Sequence, residues 1–294
     1  MTSTRSSPAA HEFFDRVAAL EAIDQPAKAI GKSVRDAIPG GPVKDGISGT
    51  WLGHTVHPLL TDLPIGTWTS ALLLDWLGGK GSERAAERLI AVGLAATVPT
   101  VVTGLSEWAD SEVGSPPVRR LGLVHAAANS TATLLFAASL AARRRRSRGA
   151  GRLLGLAGAG ALGVGGWLGG HLSYAEGIGV DQTAFEEPPE SWTVALRDGE
   201  LPEGESRYAE VGGVGVLVAR VDGEVLAISN RCSHRGGPLD EGQLSDGCVT
   251  CPWHGSVFRL ADGSVERGPA AYRQPAWQVR VREGVIELAG PSDT

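Results

Sequence analysis

The sequence has little cysteine and, in its last third, no lysine. Three cysteines, Cys232, Cys248 and Cys251, build no disulfide framework once a single site takes two of them, and they give no direct clue to a redox compartment. Residues 191–294 hold ten arginines and fifteen acidic residues without one lysine, in a chain of net charge −6. That balance argues against binding a phosphate backbone, so no nucleic-acid partner is expected. No cleavable secretory signal is expected: the first ten residues are polar, and the first apolar periodicity, Phe13 to Ile23, is short and charged. At 294 residues the chain is long enough for two domains.

What is present in its first half is apolar and rich in glycine and alanine. Four stretches stand out: Val56–Leu77, Leu89–Ser106, Leu121–Ala142 and Leu153–Ala175. The last three contain no Asp, Glu, Lys or Arg, whereas the first carries Asp62, Pro64 and Asp75. A bilayer core about 30 Å thick needs about 20 such residues in a helix, and small side chains suit helices packed closely in lipid. The expectation is an all-α four-helix transmembrane bundle over 54–176, with a soluble helical bundle as the competing reading. Ahead of it, 1–53 reads as amphipathic helices and linker. Pro26 divides the helical pattern in two, and a Pro-Gly-Gly-Pro turn at 39–42 closes it.

Arginine and lysine near the helix ends give an orientation. Lys80, Arg84 and Arg88 flank the first connection and Arg143–Arg146, Arg148 and Arg152 the third, against Arg119 and Arg120 in the second. A multi-pass membrane protein with both termini on the non-cytoplasmic side is expected. An acidic linker, 177–190, then leads into 191–294, where alternation at Val214, Val216 and Val218 and turn signals at Asp222-Gly223, Asp262-Gly263 and Glu283-Gly284 predict an all-β domain.

Within that domain lies the densest chemistry. Cys232-x-His234 stands sixteen residues ahead of Cys251-x-x-His254, among Gly236, Gly237, Pro238, Pro252 and Gly255. Two loops that each offer one thiolate and one imidazole suit a two-iron cluster whose irons differ, two cysteines on one and two histidines on the other. A structural zinc site would use the same four side chains.

The segments CSHRGGPL and CPWHGSVF resemble the Rieske [2Fe-2S] family over roughly 191–290. The resemblance implies one [2Fe-2S] cluster, with Cys232 and Cys251 on the inner iron, His234 and His254 on the outer, and single electrons passing through the imidazoles. The quinol-oxidising branch of that family carries a further cysteine in each loop; here those places read Gly237 and Trp253, so no disulfide forms there. Ser256 matches a serine whose hydroxyl donates to a cluster sulfur, and Phe258 stands where high-potential members have tyrosine. The lower, ferredoxin-like part of the potential range is therefore expected. Cys248 reads as a small buried hydrophobe in a strand.

The bundle has its own candidates. His54 and His57 open the first stretch, His125 lies near the start of the third and His171 near the end of the fourth, so all four share one end of an up-and-down bundle. A bis-histidine haem b site, a quinol pocket, and plain capping or cross-bundle hydrogen bonds are the readings. The segments GHTVHPLLTDLPIG and GGHLSYAEG resemble a family of uncharacterised four-helix membrane proteins that occurs alone or fused to Rieske domains, which implies topology more than activity. Taken together, a membrane-anchored electron carrier is expected, with a redox protein or quinone as partner. The alternatives are the donor component of an oxygenase or reductase system and a redox sensor on a passive anchor.

Overall fold

A computed structural model describes residues 9–79 and 81–291; Lys80, used above for orientation, lies outside them. The chain forms two compact units, Met1–Ala37 with Val56–Ile178, and Ile38–Thr55 with Gly179–Thr294. The first is helical: α1 Ala9–Ala18, α2 Asp24–Ala37, α4 Val56–Leu77, α5 Glu83–Ser111, α6 Pro116–Arg144 and α7 Arg148–Tyr174, while α3, Pro42–Ser48, belongs to the second unit. Helices α5, α6 and α7 are long and apolar enough to cross a membrane. Helix α4 has the length but is not among the helices apolar enough to cross, so three of the four expected spans qualify on composition. The bundle's outer surface is apolar: Leu63 is 51%, Val98 66% and Leu134 70% exposed.

The amphipathic pair α1 and α2 packs on the bundle. Phe14 and Val17 lie against Leu121, Leu168 and Leu172. Asp24 accepts from Arg120 at 2.8 and 2.9 Å, and Glu112 pairs with Arg35 and Arg119 at 2.9 and 2.7 Å. Pro26 does not divide the two helices. It sits in the first turn of α2, where its missing N–H costs nothing, and the break falls earlier, in a short 3₁₀ turn at Glu21–Ile23.

Helices α4–α5 and α6–α7 form two hairpins with matching interiors. The buried residues of α4 are Pro64, Trp68, Ala71 and Asp75; 68 positions later α6 buries Ala132, Phe136, Ser139 and Arg143. Helix α5 matches α7 in the same manner, Ala86 with Gly151, Ile90 with Gly155, Gly93 with Gly158 and Thr103 with Leu168. Matched residues meet at the centre. Trp68 stacks on Phe136 with centroids 4.2 Å apart. Asp75 accepts from Arg143 at 2.8 Å, so the charge inside α4 is neutralised by its counterpart. Each aromatic needs a glycine beside it: a Cβ on Gly93 would stand 2.3 Å from Trp68, and one on Gly158 3.0 Å from Phe136.

Among the described residues of the second unit ten short strands form three antiparallel sheets. Strands β1 (Thr193–Arg197), β10 (Val285–Ala289) and β9 (Gln278–Arg282) make one, and β2 (Ser206–Val211), β3 (Val214–Val221) and β4 (Glu224–Ser229) a second. The third is β5 (Gln243–Ser245), β6 (Cys248–Thr250), β7 (Val257–Arg259) and β8 (Val265–Arg267). Asp222-Gly223 and Glu283-Gly284 close the β3–β4 and β9–β10 hairpins with both residues at positive φ, the conformation whose twist matches paired strands. Cys248 lies in β6 but is only half-buried.

The expected preface, 1–53, is split. Residues 38–55 join the β unit, and the stretch read as turn and linker contains α3, opened by Pro42 and closed at Gly49 with φ 90°. Asp45 Oδ1 accepts from the Gly268 amide at 2.8 Å, and Thr50 Oγ1 donates to the Ala270 carbonyl at 2.9 Å.

Candidate metal centre

Two loops at one end of the third sheet have the same build. The Cys232 carbonyl accepts from Gly236 at 2.8 Å and the Cys251 carbonyl from Gly255 at 3.0 Å, each glycine at φ 74°. The Cys232 amide donates to the Gly237 carbonyl and the Cys251 amide to Ser256, at 2.9 and 2.8 Å. So curled, each loop aims two amides at its own sulfur: His234 and Arg235 at Cys232, Trp253 and His254 at Cys251. Amides aimed at sulfur stabilise thiolates and tune clusters.

The two thiols are buried and share a hydrogen bond. Cys251 gives up its proton first, at about 7, because the Cys232 thiol donates to it and the Trp253 and His254 amides assist. The His234 and His254 rings stand edge to face with centroids 5.0 Å apart. Burial, with smaller contributions from His254, Arg235 and Lys44, holds His234 well below its ordinary pKa, as a neutral imidazole. Its Nδ1 is buried without a hydrogen-bond partner, as suits a lone pair meant for a metal.

The pattern fits a dinuclear cluster better than zinc. Among the described residues no three His, Cys, Asp or Glu side chains are grouped around one ion, whereas a [2Fe-2S] cluster takes only two protein ligands per iron. Around the ligands, Ser256 is fully buried and its Oγ accepts from the Ala270 amide at 3.0 Å, leaving its hydroxyl hydrogen to donate. Phe258 is fully buried in β7. Trp253 is half exposed and meets His254 edge to face, and its ring covers Gly237, whose added Cβ would lie 2.9 Å from Cys251 Sγ. Gln274 staples the first loop from outside, donating to the Ser229 and Arg231 carbonyls and accepting from the Ser233 amide. The acidic linker is ordered on that loop, with the Gln182 amide donating to the Ser233 carbonyl at 3.0 Å.

The four bundle histidines do not form one group. His54 belongs to the β unit and its exposed ring bonds the Thr55 carbonyl at 3.0 Å. His171 stacks on Phe14 at 3.5 Å and lies 3.8 Å from Glu176. His57 and His125 are different: they occupy matched positions of α4 and α6, and His57 is near enough to feel the charge of His125. His57 Nδ1 contacts the Thr100 carbonyl at 3.0 Å, and His125 Nδ1 the Gly165 carbonyl at 2.9 Å. The residue four later is glycine in both cases, and a Cβ there would press on the ring, 2.6 Å from His57 at Gly104 and 3.0 Å from His125 at Gly169. A constant offset between equal residue types was the sequence signal for this pairing.

Comparison with known proteins divides the chain in the same place. Residues 53–182 match a family described as predicted membrane protein (DUF2231), and residues 191–278 match the Rieske [2Fe-2S] domain. Mouse apoptosis-inducing factor 3 is 37% identical over 89 residues, 30% of this chain but only 15% of that relative's length. Ferredoxin CarAc of Metapseudomonas resinovorans is 31% identical over 84 residues, 29% of this chain and 78% of the ferredoxin. The 3-phenylpropionate/cinnamic acid dioxygenase ferredoxin subunit of Photorhabdus laumondii is 35% identical over 90 residues and matched over 85% of its length. Among solved structures, the ferredoxin of carbazole 1,9a-dioxygenase from Nocardioides aromaticivorans IC177 is 29% identical, covering 35% of this chain and 99% of the ferredoxin, with a TM-score of 0.33. With its paired Cys-x-His and Cys-x-x-His loops and its identity of 31% and 35% to two ferredoxins matched over 78% and 85% of their lengths, the chain belongs to the Rieske [2Fe-2S] domain family.

Proposed function

We propose that this chain is a membrane-tethered Rieske electron carrier, its cluster held by Cys232 and Cys251 on one iron and by His234 and His254 on the other. When bound, the cluster supplies a one-electron couple. The protein's part is to hold two thiolates with four amides, to keep His234 neutral in a buried place, and to present its imidazoles as the electron's exit. The observation that carries the reading is the orphaned Nδ1 of His234 within one of a pair of identically built cysteine loops. The missing loop disulfide and Phe258 favour the lower part of the Rieske range, about −150 to +300 mV.

The tether rests on three spanning-length apolar helices and on the bundle's apolar exterior. The arginine distribution favours a non-cytoplasmic β domain. One partner is consistent with the relatives, a component of an oxygenase system, as for the dioxygenase ferredoxin subunit; the other, a haem or quinol site in the bundle itself, rests on the bundle histidines alone. The third reading, a redox sensor on a passive anchor, predicts no second chromophore.

The test is electron paramagnetic resonance of the dithionite-reduced, detergent-solubilised chain. A Rieske signal with mean g below two is expected, lost in His254→Ala and in Cys232→Ser. A colourless protein loaded with zinc, from cells with normal cluster assembly, overturns the reading.

A further inference from the structure

We infer that His57 and His125 are the two axial ligands of one haem iron, held on the pseudo-two-fold axis that relates the α4–α5 hairpin to the α6–α7 hairpin. The inference rests on the bundle half of the function proposed above and narrows it to two residues and one ligand class.

The axis is defined by three layers. Trp68 on Phe136 and Asp75 with Arg143 are matched pairs in direct contact, and His57 with His125 is the third pair at the same offset. The histidine layer lies eleven residues before the aromatic layer on both helices, about 16 Å along a helix axis. Partners that meet in two layers of a two-fold bundle face each other in the third.

The tautomers follow from the acceptors. A carbonyl oxygen cannot donate, so the contacts with Thr100 and Gly165 require a proton on Nδ1 of both rings and leave both Nε2 atoms unprotonated. Histidines that bind metal are held in this manner, the far N–H given to a backbone carbonyl. Gly104 and Gly169 allow the rings to lie against the neighbouring helix. The Asn129 amide lies 3.3 Å from both ring nitrogens of His125 and donates to the His125 carbonyl at 3.0 Å, its shorter contact.

The same facts select the ligand. A zinc ion, a metal that suits imidazole donors, takes three or four protein ligands, and no group of three His, Cys, Asp or Glu that could hold a metal is found among the described residues. A porphyrin brings four nitrogens of its own, so two imidazoles complete the iron. A quinone needs hydrogen-bond donors, and neither Nε2 carries a proton.

The experiment uses the full-length chain, prepared from haem-limited cells in detergent and titrated with haemin. One equivalent is expected to bind with a low-spin, six-coordinate spectrum. His57→Ala and His125→Ala are each expected to lose the low-spin form and at least about tenfold in affinity, whereas His54→Ala and His171→Ala leave both unchanged. His57→Gly with added free imidazole is expected to regain the six-coordinate spectrum, which separates a lost ligand from a misfolded bundle. Failure of the wild type to take up haemin, or a low-spin spectrum surviving both histidine variants, overturns the inference. So does His57-dependent binding of decylubiquinone without haemin uptake. The Rieske signal read on the same samples reports the cluster separately, so losing one site does not mimic losing the other.

Discussion

Asp75 and Arg143 offer the sharpest test of the matched hairpins. Their side chains are almost wholly buried and joined by two hydrogen bonds, one of 2.8 Å, and Arg143 also donates to Ser139 at 3.2 Å. Asp75→Leu alone leaves the Arg143 guanidinium, with Arg152 nearby, without its carboxylate; Arg143→Met alone leaves the carboxylate. Each is expected to cost about 3–5 kcal/mol, because an uncompensated charge stays buried. The double variant Asp75→Leu/Arg143→Met removes both charges and should cost far less than the sum, with a coupling of about 3 kcal/mol. Denaturant unfolding in detergent, followed by tryptophan fluorescence, measures all four corners of the cycle. Additive losses would refute the central pair. A charge exchange adds detail: Arg143 extends over Gly151, where a Cβ would stand 2.6 Å from its Cγ, and the matched place beside Asp75 is Ala86. Asp75→Arg/Arg143→Asp should therefore recover stability only when Ala86→Gly is added.

Other outcomes follow from the same contacts. Gly93→Ala is expected to destabilise by about 1–3 kcal/mol through overpacking on Trp68. Gly66→Ala, on the same hairpin with nothing within 4 Å, should be neutral or gain up to about 1 kcal/mol, by the same unfolding assay. Gly237→Ala places a methyl carbon 2.9 Å from Cys251 Sγ, so iron and acid-labile sulfide per chain should fall while the β domain's circular dichroism persists. Ser256→Ala is expected to lower the cluster potential and Phe258→Tyr to raise it in redox-titrated resonance spectra. Asp45→Ala leaves the Gly268 amide without its acceptor, at about 1–3 kcal/mol, and should speed proteolysis within 38–55.

Much of the chain could be read before it folded. The two cysteine–histidine loops were legible because each is short: cysteine, histidine and glycine at fixed local spacing determine how a loop curls, whatever surrounds it. The helices were legible for a similar reason, and the first apolar stretch, Val56–Leu77, coincides with α4. Sequence alone misread Pro26 as a divider, since a proline in a first turn and one that ends a helix look alike without hydrogen bonds. It took 39–53 for linker, where Pro42 and Gly49 instead open and close a helix that Asp45 and Thr50 fasten to a loop more than two hundred residues away.

Tertiary structure decided which histidines belong together, although the offset of 68 residues between His57 and His125 was already present in the sequence. The local sequence around His54, His57, His125 and His171 ranks none above another, since all four lie near helix ends in apolar surroundings. Only packing turns His57 and His125 into a matched pair, sends His54 to the other unit and sets His171 on Phe14. The physical reason is that the bundle's interior is made of complementary halves: a glycine on one helix has meaning only beside the ring it admits, and a carboxylate only beside the guanidinium 68 positions away.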